Sequence, residues 1–134
     1  MEEFVEILGT LNIFFLGFNL SLFFVRRIHK YFITEKQSKI AKLILFIMKI
    51  LKKYHKISGM LLIVIGITHG YLALNGNLYL HTGLILWIGI IFMFLIYTLG
   101  KINIFKNTWI KWHRYIGIAL IILLIIHLVD PWLL

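Results

Sequence analysis

Apolar residues run along this chain in long blocks separated by short polar clusters. A hydrocarbon core about 30 Å thick is crossed by roughly 20 mainly apolar residues in a helix. Four segments meet that requirement, at about 4–25, 57–74, 82–99 and 109–129. The last reaches spanning length only with a helix that starts near Trp109, ahead of Lys111 and Arg114. The pattern predicts an all-α integral membrane fold, a four-transmembrane-helix bundle forming a single membrane domain over residues 1–134.

The stretch 38–56 has a different pattern. Its uninterrupted apolar run, Leu43 to Met48, is too short to span. On a helical wheel Lys39, Lys42, Lys49, Lys52, Lys53 and Lys56 fall within an arc of about 140°. Ile40, Leu43, Ile47, Ile50, Leu51 and Tyr54 occupy a separate face. This predicts an additional amphipathic helix on the cytoplasmic interface, its lysines turned toward headgroups or a docking redox partner.

Composition sharpens the class. The 134 residues are 61% hydrophobic and 14% charged, against about 45–50% and about 25% in soluble domains. A water-soluble globule of this size could not hide the surplus, and the apolar blocks exclude a disordered or nucleic-acid-binding chain despite a net charge of +9. Cysteine is absent, which removes disulfides, thiolate-bound zinc, iron–sulfur clusters and covalently attached haem. The ten glycines form neither a dinucleotide fingerprint nor a P-loop, so a complete nicotinamide enzyme is not expected.

Charge sets the topology. Ten of the fourteen basic residues lie between Arg26 and Lys56, and the rest are Lys101, Lys106, Lys111 and Arg114. Four spans place all of them on one side, which the positive-inside rule assigns to the cytoplasm. Glu2, Glu3, Glu6 and Asp130 fall on the other side. The expectation is a multi-pass protein of the cell membrane with both termini extracytoplasmic. The acidic Met-Glu-Glu opening lacks the basic start of a signal peptide, so the first segment is read as a retained span.

The chemistry resides in histidines. The second span is preceded by Tyr54-His55-Lys56-Ile57-Ser58-Gly59 and closes on His69; the fourth opens with Trp112-His113-Arg114-Tyr115-Ile116-Gly117 and closes on His127. Each reads aromatic-His-basic-x-x-Gly, with the second His fourteen residues after the first. Fourteen residues rise about 21 Å and turn about 40° short of four full turns, so both histidines of a helix share one face. The two spans are separated by one other, so they are expected to run parallel. His55 then faces His113 at cytoplasmic depth, and His69 faces His127 near the outer surface.

Paired imidazoles at two depths are what two stacked haem b groups require, each iron taking one nitrogen from each helix. Gly59 and Gly117, four residues after a ligand, and Gly66, three before His69, leave space for a porphyrin. Lys53, Lys56, Lys111 and Arg114 are near enough in sequence to pair with propionates. A single zinc site is disfavoured, because 21 Å cannot be closed by one tetrahedral ion. Histidines that merely bond neighbouring helices are the simpler alternative; intramembrane ionisable residues default to function. His29 reads as an interfacial residue. His81 also reads as interfacial, with a ligand-replacing, proton-relaying or acceptor-contacting role as the alternative.

At these residues the chain resembles a known family. The segments His55–Leu74 and Trp109–Val129 are similar to the two haem-ligand helices of ferric reductase-like transmembrane domains, and Gly83–Ile102 resembles the family's middle helix. That superfamily includes ferric-chelate reductases, the membrane half of NADPH oxidases and the haem subunit serving bacterial methionine sulfoxide reductase. The resemblance implies ligand roles for His55, His69, His113 and His127 and electron transfer across the membrane. Family members commonly have six spans, and many add a flavin and nicotinamide domain; four spans and no such domain are found here.

The expected function is therefore transmembrane electron transfer by a dihaem cytochrome b. The donor is a cytoplasmic flavoprotein or menaquinol, and the acceptor is extracytoplasmic. Quinol contacts are sought among Asn75, Asn77, Tyr79 and His81 on the outer side and Asn103 and Asn107 on the inner. The alternative is a membrane anchor or assembly subunit of a larger redox complex, with haem bound structurally or not at all. A histidine-dependent transporter is disfavoured by the near absence of intramembrane carboxylates. A homo- or hetero-oligomer remains compatible with the sequence.

Overall fold

A computed structural model describes residues 2–33, 38–77, 79–102, 106 and 108–133. The described residues form helices α1 (Glu2–Phe32), α2 (Lys39–Ala73), α3 (Thr82–Leu99) and α4 (Trp109–Val129), with no strand among them. All four are long and apolar enough to cross a membrane, as expected of a multi-pass membrane protein. The third and fourth segments match α3 and α4 residue for residue. The first is longer than its apolar block, because nothing in Arg26–Phe32 breaks a helix and its basic last turn suits the negative end of the helix dipole.

The amphipathic stretch is not a separate element. It is the first half of α2, a continuous helix of 35 residues. Lys56-Ile57 contains neither proline nor a capping residue, so the backbone has no reason to stop between the two patterns. The helix starts where it does because the Ser38 hydroxyl accepts the Ala41 N–H at 3.1 Å, a standard N-cap bond.

The chain divides into two compact units, Met1–Ile65 and Gly66–Leu134. In the first, Leu8 and Leu22 of α1 and Ala41, Leu51, Ser58 and Leu62 of α2 are buried. The Ser58 hydroxyl donates to the Phe15 carbonyl at 3.4 Å. Ser58 lies at the start of the second apolar block whereas Phe15 lies at the middle of the first, so this bond joins unlike points of the two blocks. The Lys-rich half of α2 precedes it. Its apolar face is left largely open: Leu51 is buried, but Ile40, Leu43, Ile47, Ile50 and Tyr54 are exposed.

The second unit is built on antiparallel α3 and α4. Leu86 and Leu120 are buried between them, and a side chain added at Gly89 would meet Leu120. At one end Gly100 receives the face of Trp109. At the other, Thr82 bonds Pro131 just beyond α4 through both its backbone and its hydroxyl. α2 reaches this unit with its last turns and ends in a Gly76 N–H bond to the Tyr71 carbonyl at 2.9 Å. Asn75 and Gly76 there have φ of 51° and 80°, the left-handed geometry of a helix C-cap that glycine adopts without strain.

Candidate functional site

The second unit gathers three histidines near one end. His69 and His81 both lie within electrostatic range of His127. His69 comes from the last turns of α2, His81 immediately precedes α3, and His127 lies in the last turn of α4. His81 is 8% exposed and Thr82 is fully enclosed at 0%. His81 is therefore buried against its own chain, with its ring 5.7 Å from that of Trp132.

Hydrogen bonds fix how two of these rings present themselves. His81 Nδ1 lies 2.8 Å from the Tyr79 carbonyl. A carbonyl only accepts, so the proton is on Nδ1 and the neutral ring carries its lone pair on Nε2. The Thr82 hydroxyl donates to the Pro131 carbonyl at 2.8 Å and sits 2.9 Å from His127 Nδ1. The hydroxyl has one hydrogen, already given to Pro131, so His127 Nδ1–H is the donor in the second bond. Its Nε2 is then also the lone-pair nitrogen, the usual arrangement for a metal-binding imidazole.

Gly83 shows how closely these rings meet. A Cβ placed on it would stand 2.8 Å from His127 Cε1 and 2.9 Å from His81 Nε2. Both ring edges thus converge on one point that only a glycine leaves clear. Gly117, by contrast, has nothing within 4 Å of its Cβ position, and the same is true of Gly59 in the first unit.

The remaining expected residues are divided between the units. His55, Gly59, Lys53 and Lys56 belong to the first; His113, Gly117, Lys111, Arg114 and Gly66 belong to the second. His113 is half-buried, hydrogen-bonds the Met93 backbone in α3, and stands edge-on to Trp109 at 6.1 Å. The four basic residues are exposed, Lys53 over the ring of Tyr54 at 5.2 Å. Asn75, Asn77 and Tyr79 are exposed as well. Asn103 and Asn107 lie outside the described residues. No group of three or more metal-ligating side chains close enough to hold one ion occurs among the described residues.

Three residues escaped the sequence reading. Thr82 counted only as the first position of an apolar span, although a threonine directly after a histidine could have drawn notice. Asn12 and Asn19, seven residues apart in α1, bury side-chain oxygens that accept no hydrogen bond. That spacing puts them on one helix face, and a polar pair inside an apolar block was a visible sign.

No protein-family model matches the chain, and no curated protein or solved structure matches it.

Proposed function

We propose that this chain is a dihaem b-type cytochrome of the cell membrane, moving electrons between the cytoplasmic and outer faces. The reading rests on the repeated His-x13-His spacing, and the observation that carries it furthest is His127, whose Nδ1–H is held by Thr82 so that Nε2 presents its lone pair. Residues that suit haem are present: imidazoles as donors, open space beside Gly59 and Gly117, and exposed cations next to the expected ligands for propionates.

In this reading, which follows the sequence spacing, His55 and His113 would hold the inner haem and His69 and His127 the outer. Lys53, Lys56, Lys111 and Arg114 would pair with propionates. The haems would supply one-electron redox chemistry. By the positive-inside rule the basic residues would face the cytoplasm. A flavoprotein docking on the lysines of α2, or menaquinol, supplies electrons, and an extracytoplasmic acceptor receives them.

The purified protein should show a b-type reduced-minus-oxidised difference spectrum and about two haems per chain, the number its two histidine pairs can hold. His127→Ala should remove one haem and leave the other. A colourless protein, or one whose haem content ignores all four histidines, overturns the reading.

A further inference from the structure

We infer that Thr82 is a positioning residue, the group that selects the tautomer of His127 and so makes its Nε2 available to a metal. The inference rests on the cytochrome reading for its purpose, but the hydrogen-bond arrangement stands apart from it. Thr82 is the first residue of α3, where backbone N–H groups lack partners within the helix. Its N–H reaches the Pro131 carbonyl at 3.3 Å and its hydroxyl reaches the same carbonyl at 2.8 Å. The hydroxyl has a single hydrogen, and its short bond to this carbonyl points that hydrogen away from His127. The oxygen's lone pairs are what remain for the imidazole, and an imidazole can meet them only with Nδ1–H.

Full enclosure strengthens the selection. Thr82 is the most deeply enclosed large residue among those described, so water is not at hand to take over either bond. Gly83 next to it brings the backbone against the His127 ring, which limits how far the imidazole can turn away. Residue 82 thus controls both the proton and the orientation of residue 127. Partners of this kind, acting through a ligand's second nitrogen, typically change metal affinity 10–100-fold.

The test uses full-length protein in nanodiscs, labelled with 15N-histidine, and the variants Thr82→Val and Thr82→Ser. Valine keeps the shape without the hydroxyl; serine keeps the hydroxyl without the methyl. In haem-free protein at a pH above the ordinary imidazole value, the His127 resonances (assigned by their loss in His127→Gln) should report Nδ1–H in the wild type and in Thr82→Ser. Thr82→Val should move the population toward Nε2–H. On titration with haemin, Thr82→Val should weaken one of two binding phases about 10-fold or more and Thr82→Ser should restore it. An unchanged tautomer in Thr82→Val, or its loss in Thr82→Ser as well, overturns the inference. Wild-type protein that takes up no haem would defeat the cytochrome reading, while the tautomer measurement still decides the role of Thr82.

Discussion

Two glycines in similar sequence settings have opposite surroundings. Gly83 faces two imidazoles closer than any Cβ contact allows, and Gly117 faces open space. Gly83→Ala must push the His81 and His127 rings apart, at a cost of about 1–3 kcal/mol, read as a lower unfolding midpoint in detergent. Gly117→Leu should leave the haem-free protein as stable as before, or slightly more so, because glycine inside a helix is itself unfavourable by roughly 0.5–1 kcal/mol relative to alanine. Its haem content should fall, because leucine would fill the space assigned to the porphyrin. Equal haem binding by Gly117→Leu and wild type would remove Gly117 from the site. The spacing of the four histidines was legible in the sequence, but the company of His81 with His69 and His127 was not, because it depends on how separate elements meet. Thr82 was not, since its importance comes from Pro131 and His127, 49 and 45 residues away, and no local pattern encodes so distant a contact.

The helices were legible to different degrees. α3 and α4 were read to the residue, because polar turns and the Trp109 start bound them closely. α2 was read as two elements, because a change of amphipathic pattern suggests a boundary that the backbone does not respect. At 35 residues it is about 52 Å long, well beyond the thickness of a hydrocarbon core. In α1, the orphaned oxygens of Asn12 and Asn19 are a local weakness. A buried acceptor without a donor costs about 1–3 kcal/mol, and an apolar replacement of similar shape can recover part of that. Asn12→Leu and Asn19→Leu should each raise the thermal midpoint of the isolated protein. A lowered midpoint would show that these amides serve the fold.

The whole molecule offers a simple route to its topology. Because the natural sequence lacks cysteine, a single introduced thiol reports without background. Asn77→Cys, in the exposed turn after α2, should react with an impermeant maleimide in intact cells. Lys101→Cys, after α3, should react only once the membrane is opened. The reverse pattern would invert the positive-inside orientation and exchange the inner and outer sites. Which segments are long and apolar enough to span was legible at this scale, since apolar length alone decides it. The division of the chain into two units was not, because its boundary at Ile65 and Gly66 falls inside one unbroken helix.

The bond between Thr82 and Pro131 also bears on the order of assembly. The acceptor of Thr82 lies beyond α4, so the clasp around His127 cannot close until all four helices and the residues after α4 have been synthesised. His69 and His81 are in place earlier, as the chain emerges, but the third ring of their cluster acquires its fixed proton last. If the cluster holds haem as proposed, a nascent chain could not complete that site before the end of α4 is made, and truncations that stop short of Pro131 should bind one haem fewer than the full-length chain.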